Sequence, residues 1–118
     1  MTVNTSSERT NISDREGGSE LLADESNLST GVTAKTSDVE SSTLYLSVDG
    51  AVEVEVEASP DGGETWFVLP ESPLDLAAPA DGEDTRDDAV HLLYNFNRLR
   101  LTSDDAAVAV TAALREVV

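Results

Sequence analysis

The sequence predicts an all-β protein, a single β-sandwich or jelly roll of about seven short strands that follows a polar N-terminal arm. From about residue 32 onward, apolar residues alternate with polar ones at the period of two that is typical of half-buried strands. Turn-forming Gly, Pro, Asn and Asp residues separate most of these runs. Residues 1–31 are instead dominated by Ser, Thr, Asn, Asp and Glu. Such a composition buries too little apolar surface to offset the entropy of ordering the chain.

We therefore divide the chain into an extended polar arm, residues 1–31, and a β-sandwich domain, residues 32–118. Within the arm, residues 19–25 are predicted to form either a single helical turn or a short pairing strand. A polar terminal segment is ordered only when something holds it, and we expect a neighbouring subunit to do so. The apolar residues of the arm expected at that interface are Ile12, Leu21, Leu22 and Leu28.

The alternation of apolar and polar residues predicts where the strands of the domain lie. The predicted strands are 32–35, 44–48, 52–58, 66–69, 92–96, 99–101 and 108–114. The run 52–58 is the clearest, because Val and Ala alternate with Glu53, Glu55 and Glu57, which then share one solvent face. A slip in the alternation near Asn97 predicts a β-bulge. Both faces of the last run are apolar or small, so we expect it to be central or covered by a partner.

Residues 70–88 are predicted to form one long irregular segment, interrupted by three prolines. Loops of this length are uncommon in compact domains and are often functional. The segment ends in an acidic run that contains Asp81, Glu83, Asp84, Asp87 and Asp88. Ca²⁺ takes six to eight oxygen ligands, but the spacing differs from that of an EF-hand loop. We interpret the run as a solvated acidic loop; the alternative is a weak Ca²⁺ or Mg²⁺ site, and no other cofactor is expected.

The charge balance is extreme: 24 acidic against 7 basic residues give a net charge of −17, and Lys35 is the only lysine. Self-repulsion of this size opposes a compact state in dilute buffer, whereas molar salt shortens the Debye length to about 3 Å. We interpret the composition as adaptation to a high-salt cytoplasm. The alternatives are an acidic mesophilic protein or a mimic of nucleic acid. Direct binding to nucleic acid is not expected, because phosphate contacts require a basic surface.

Several other classes of protein are not expected. The chain contains no cysteine, which excludes disulfides and thiolate metal sites. Its apolar runs are too short to insert into a membrane, and no basic stretch followed by an apolar one predicts a signal peptide. His91 is the only histidine and has no second histidine or cysteine for a zinc site. No nucleophile elbow or phosphate-binding loop is present, so we expect no catalytic residues and no enzymatic activity.

The most specific local pattern is Ser59-Pro60-Asp61-Gly62-Gly63-Glu64-Thr65-Trp66. In such a turn Asp61 accepts hydrogen bonds from backbone N–H groups, Gly63 adopts a positive φ, and Trp66 is expected to enter the core. The pattern resembles the Asp-box of sialidases and related β-propellers, in which it fastens a hairpin far from the catalytic centre. One copy in 118 residues cannot build a propeller. We therefore interpret Ser59, Asp61, Gly63, Thr65 and Trp66 as a structural hairpin.

Arg98 and Arg100 alternate with Leu99 and Leu101, so both arginines are predicted on one face of a sheet. Two hypotheses explain them. They pair with Glu53, Glu55 or Glu57 across the sheet, each pair contributing up to about 1 kcal/mol. Alternatively, they contact an acidic neighbouring subunit.

The segment "VEVEVEASPDGGETWFVLPE", the following "LLYNFNRLRLTS" and the terminal Ala/Val run together resemble small β-sandwich structural proteins of tailed viruses. With the acidic composition, this resemblance implies a virion protein of a virus that infects halophilic archaea. Its expected role is capsid decoration as a homo-oligomer, in contact with copies of itself and with the major shell protein. A tail or neck component is an alternative. A different class, a glycan-binding module, would use Tyr45 or Tyr94 together with carboxylates of residues 70–88.

Overall fold

A computed structural model describes residues 19–39 and 41–116, and these residues form nine β-strands without a helix. The strands are β1 Ser19–Ser26, β2 Val32–Val39, β3 Ser42–Val48, β4 Val52–Ser59, β5 Phe67–Val68, β6 Leu74–Leu76, β7 Arg86–Leu92, β8 Phe96–Ser103 and β9 Val110–Glu116. The all-β prediction is confirmed. A search of the described residues for a helix that is long and apolar enough to cross a membrane found none.

The strands form two sheets that pack together. One has the order β1-β9-β3-β7, and the other has the order β2-β8-β4-β5, with β6 also paired to β4. Every pairing is antiparallel. The partners are nested along the chain: β1 pairs with β9, β2 with β8, β3 with β7, and β4 with β5 and β6. This nesting places Ser19 of β1 beside Arg115 of β9.

The core between the sheets is made by alternate residues of the longer strands. In β3 and β4 the buried positions recur at every second residue, as the sequence predicts for strands with one covered face. Val54, Leu44, Val110 and Leu114 are fully enclosed. Burial of one such side chain stabilises the folded state by about 1.5–3 kcal/mol. Ser42 and Ser103 are also buried, and in the described structure their hydroxyl groups have no hydrogen-bond partner.

The last strand lies inside its sheet. β9 pairs with β1 on one side and with β3 on the other. This central position explains why both of its faces consist of apolar or small residues, one of the two outcomes expected from the sequence. The inward residues Val110, Ala112 and Leu114 are buried, while Thr111 and Ala113 are half-buried on the outer face.

The start of the domain differs from the predicted boundary at residue 32. Residues 19–26 form β1, which pairs with β9 as the edge of the first sheet. Leu22 and Leu28 are 9% and 2% exposed, so they belong to the chain's own core instead of an interface with a neighbour. The backbone carbonyl of Leu28 accepts hydrogen bonds from Ser103 and Gly31, both at 2.9 Å. Of the two structures predicted for residues 19–25, the pairing strand is the one that forms, and β9 of the same chain holds it where a neighbouring subunit was expected. Ile12 lies outside the described residues.

The expected irregular segment 70–88 is shorter than predicted. β6 pairs with β4 at Leu74–Leu76, and β7 begins at Arg86. The predicted strand 92–96 is in fact the junction of two strands, because Leu92 ends β7 and Phe96 begins β8. Leu92, Tyr94 and Phe96 keep a spacing of two through this connection, and only the additional apolar Leu93 departs from the alternation.

The slip near Asn97 coincides with an irregular stretch of pairing. β2 and β8 are in register at Lys35 and Arg98, and again at Val39 and Phe96. Between these two pairs the chain advances by four residues along β2 but by only two along β8. The irregularity occurs where it was predicted, but the extra residues belong to the neighbouring strand β2.

Candidate binding surfaces

The hairpin between β4 and β5 is fastened by the side chains of its own pattern. The Ser59 hydroxyl donates to Asp61 Oδ1 at 2.7 Å and accepts a hydrogen bond from the Gly63 N–H at 2.8 Å. The same Asp61 oxygen accepts from the Thr65 N–H at 2.9 Å. Gly63 has a φ of 98°, which favours glycine. The structural role predicted for Ser59, Asp61, Gly63 and Thr65 agrees with this geometry.

These hydrogen bonds stabilise the ionised form of the Asp61 carboxyl group. The Ser59 hydroxyl, followed by the backbone and side chain of Thr65, lowers the pKa of Asp61 from 3.8 to about 2. A second strand secures the turn from outside, because the Gly62 N–H donates to Asn97 Oδ1 at 2.9 Å. Asn97 lies in β8, so the hairpin tip is held to the strand that neighbours β4.

Trp66 does not enter the core, in contrast to the prediction. Its side chain is half-buried, and the Arg100 guanidinium carbon lies 4.1 Å from the centre of its ring. Arg100 Nε also donates to Glu57 Oε1 at 2.9 Å. The outer face of β4 and β8 therefore attracts the indole through a cation–π contact. The strand that follows the turn is only two residues long, which gives Trp66 no inward position to occupy.

Of the two arginines predicted to pair with glutamates of β4, only Arg100 does so among the contacts described. Glu57 stands opposite Arg100 in the register of β4 and β8, while Arg98 stands opposite Ser59. The Arg98 guanidinium donates to the carbonyl of Asn97 at 2.8 Å. Both side chains share the outer face of the sheet, as predicted, and both are half-buried. Arg98 therefore remains the better placed of the two to meet an acidic neighbour.

An exposed apolar groove of about 380 Å³ lies between the β4–β5 hairpin and the β7–β8 connection. Phe67 and Leu93, which face it, are 56% and 66% exposed. Phe67 pairs with the buried Ala58, and β5 is the last strand of its sheet in the described part of the chain. Pro60, Leu69, Tyr94 and Phe96 complete the apolar lining.

A carboxylate borders this apolar groove. The Tyr94 hydroxyl donates to Glu71 Oε2 at 3.0 Å. Loss of water contact, together with this hydrogen bond and the negative charge of Glu71, raises the pKa of the Tyr94 hydroxyl. Tyr94 is thus fixed as one wall of the apolar groove.

Sequence reasoning did not single out Phe67 and Leu93. A signal was present for each of them. Four apolar residues in a row, 66–69, cannot all face inward from a strand. Leu93 breaks the alternation of Leu92 and Tyr94 in the same way. An apolar residue beyond those that the alternation can bury is therefore a marker for an exposed surface, here in the edge strand β5 and in the connection after β7.

A second depression lies on the outer face of the first sheet. Tyr45, which is 47% exposed, forms its floor beside Asp87 and Asp88. The space is about 410 Å³, and Ser47 and Thr111 add hydroxyl groups to the lining. We call this depression the Tyr45 site. It combines an aromatic ring with carboxylates of the 70–88 segment, as expected of a glycan-binding surface.

The acidic run does not assemble a cluster of ligands. Asp81, Glu83, Asp84 and Asp87 are exposed, and Asp88 is half-buried with one oxygen 3.6 Å from Arg86 Nε. Within the described residues there is no group of three or more His, Asp or Glu side chains arranged to hold a metal ion. Residues 81–85 are exposed throughout.

His91 lies on β7 and contacts β3. Its Nδ1 atom is 3.2 Å from the Thr43 hydroxyl oxygen, and Thr43 stands opposite it in the register. The imidazole is exposed on the outer face of the sheet.

Comparison with known proteins returned no match to the chain among protein-family models, curated proteins or solved structures.

Proposed function

We propose that the chain is a non-catalytic virion structural protein of a halophilic tailed virus, and that it decorates and stabilises the capsid through subunit contacts. The observation on which this proposal rests is the exposed apolar groove at Phe67 and Leu93. Large apolar side chains exposed together on a small domain are typical of a protein–protein contact. On a chain with a net charge of −17, they form a local surface that a neighbouring subunit can cover.

We further propose that the sandwich is a jelly roll. In a jelly roll a long antiparallel hairpin of strands is wrapped so that its pairs alternate between two sheets. The nested pairing of β1 with β9, β2 with β8, β3 with β7 and β4 with β5 supports this assignment. Viral capsid proteins and lectins both use jelly rolls, so the topology is compatible with assembly and with glycan binding.

The acidic surface supports the high-salt setting of the proposal. Glu53 and Glu55 are exposed on one face of β4, and residues 81–87 are exposed throughout. Their mutual repulsion weakens as the Debye length shortens to about 3 Å in molar salt. Subunit contacts between chains of equal sign are then opposed less strongly by repulsion.

Density-gradient fractionation of virus-containing lysate in high salt tests the proposal. We expect the protein, quantified by mass spectrometry, to migrate with intact particles in a fixed ratio to the main shell protein. A copy number close to that of the shell protein supports decoration. A copy number that is a small fixed fraction of the shell protein's supports a tail or neck position. Absence of the protein from the particle band would contradict a virion role.

The Tyr45 site supports glycan binding as a second candidate function. An aromatic ring flanked by carboxylates and hydroxyl groups offers stacking and hydrogen bonds to a sugar. Titration of the protein with soluble sugars, followed by the backbone NMR signals of Ser47 and Thr111 in the Tyr45 site, tests this candidate. Saturable shifts that the variant Tyr45→Ala loses would favour it, and unchanged spectra would exclude the sugars tested.

A further inference from the structure

β7 is a regular edge strand. All of its seven residues, Arg86–Leu92, pair in continuous register with Ser42–Val48 of β3. Within the described part of the chain, β3 is the only strand that pairs with β7. In an antiparallel pair, half of the backbone N–H and C=O groups point away from the partner strand. β7 therefore presents a row of backbone donors and acceptors along its other edge, a ready template for another strand.

The free edge of β7 adjoins the apolar groove. β1 and β2 pack against each other, which leaves β7 and β5 at the opposite ends of their sheets. Leu93 directly follows β7, and it lines the apolar groove together with Phe67 of β5. Backbone pairing groups and exposed apolar side chains thus lie on the same side of the sandwich.

We propose that β7 pairs antiparallel with β7 of a second copy, across a two-fold axis at Ala89. This pairing joins the two four-stranded sheets into one continuous sheet. The inference deepens the proposed function, on which it rests, because it identifies the contact through which copies associate. Two-fold dimers are the commonest symmetric assemblies.

The pleat of β7 restricts where the axis can lie. Asp88, Val90 and Leu92 are the more buried residues of the strand, while Asp87, Ala89 and His91 are exposed. Directly opposed residues of antiparallel strands share a face. An axis between two residues would place core-facing residues opposite solvent-facing ones, which the continuous sheet does not permit. The axis must therefore pass through a residue.

Charge selects Ala89 among the central positions. An axis at Asp88 places two like charges directly opposite each other, which is destabilising. An axis at Val90 places His91 opposite Ala89 and Asp87 opposite Leu93 of the second copy, so that neither polar side chain meets a complementary one. An axis at Ala89 places Asp87 opposite His91 of the second copy, and the two-fold symmetry creates this complementary pair twice. Thr43 engages His91 Nδ1, so Nε2 is the nitrogen that meets the carboxylate.

Two further features favour a second copy as the occupant. Ala89 is small, so its side chains can meet at the axis without a clash. Each Asp88 lies 3.6 Å from Arg86 of its own chain, which reduces the repulsion between the two Asp88 side chains across the axis. Because each copy has a net charge of −17, we expect the dimer to require high salt.

Single cysteines introduced along β7 test the register, since the chain has none of its own. Residues directly opposed across the axis have Cα atoms about 4.5–5.5 Å apart, within the range of about 4.4–6.8 Å that a disulfide spans. In about 2 M KCl with a mild oxidant, we expect Ala89→Cys to form a covalent dimer on a non-reducing gel. Thr85→Cys, at the exposed position just before β7, places the sulfurs of the two copies more than about 20 Å apart, so it should give no covalent dimer. Ala107→Cys, in the exposed β8–β9 connection, is the control for random collisions.

More efficient cross-linking of Asp88→Cys or Val90→Cys than of Ala89→Cys would overturn the proposed axis. No cross-linking at any of these positions, with circular dichroism showing intact strands, would overturn pairing through β7. If residues 1–18 of a neighbouring copy paired along β7 in place of its β7, no cross-linking would occur at any of these positions.

A charge exchange provides an independent test by sedimentation equilibrium. Asp87→His alone should weaken dimerisation about tenfold, because it loses two complementary pairs. The double variant Asp87→His/His91→Asp should restore the wild-type dissociation constant. Asp24→His, on the opposite edge strand, is the matched control. Failure of the double variant to recover would contradict the Asp87–His91 contact, whereas particle fractionation would still test the proposed function separately.

Discussion

At the scale of single residues, the Ser59–Trp66 hairpin shows which features a sequence motif predicts and which it does not. The residue types predict the hydrogen bonds to Asp61 and the positive φ of Gly63, because each depends only on the turn itself. The place of Trp66 depends on the neighbouring strand, where Arg100 offers its guanidinium group. Local chemistry is thus predictable from the sequence, whereas the direction of a long side chain is decided by contacts that the sequence does not place.

The Asp61 carboxylate is predicted to make stability depend on pH. Its pKa is about 2 in the folded chain, against 3.8 without these partners, so the folded state favours the ionised form. The contribution is fully present above about pH 4 and disappears as the pH falls through about 2. We expect Asp61→Asn to lower the melting temperature at neutral pH, and the difference from the wild type to shrink between pH 4 and pH 2.

Thermal unfolding followed by circular dichroism measures this difference. Asp75→Asn, on the exposed face of β6, is the matched control and should have little effect at any pH. A constant difference between Asp61→Asn and the wild type down to pH 2 would show that the ionised carboxylate does not hold the turn.

At the scale of elements, period-two alternation identifies β3, β4, β8 and β9, because each has one clearly buried face. It misses β1, β6 and β7 for different reasons. β6 is three residues long, and β7 begins with three charged residues at an edge where they remain in water. β1 contains few apolar residues and is ordered by β9. Edge strands are therefore harder to predict, since pairing with a neighbour replaces the alternating burial that marks a central strand.

The loop after β1 is predicted to be essential for the fold. Leu28 is 2% exposed, and its carbonyl binds Ser103 and Gly31. We expect Leu28→Ala to lower the free energy of unfolding by about 2–5 kcal/mol, the usual cost of truncating a buried leucine. Denaturant titration in high salt measures this loss. Leu93→Ala, at an exposed leucine, is the control and should change stability by less than about 0.5 kcal/mol. Equal effects of the two substitutions would contradict a core that includes this loop.

At the scale of the whole molecule, charge is predicted to set the conditions for stability. With a net charge of −17, self-repulsion opposes the folded state until salt screens it. We expect the melting temperature to rise steadily between about 0.1 M and 3 M KCl. The double variant Glu53→Gln/Glu55→Gln should be more stable than the wild type at low salt and equal to it at high salt. A melting temperature that is independent of salt would contradict the high-salt interpretation.

The binding surfaces were predictable only in part. The glycan-binding alternative combines Tyr45 or Tyr94 with carboxylates of the 70–88 segment, and the structure brings Tyr94 to Glu71 and Tyr45 to Asp87 and Asp88. The apolar groove was not predictable, because it forms between two connections that are far apart in the chain. Its existence depends on the sheets ending together at β5 and β7.

Rebinding to particles is the measurement that tests the central claim most directly. Particles stripped of this protein are mixed in high salt with the wild type or with Phe67→Ser/Leu93→Ser, and the bound protein is measured after sedimentation. Tyr45→Ser is the matched control, since Tyr45 is also exposed but lies in the other depression. If the apolar groove is the contact surface, the wild type and Tyr45→Ser will rebind to saturation, and the groove variant will lose most of its binding. Undiminished binding of the folded groove variant would contradict the account.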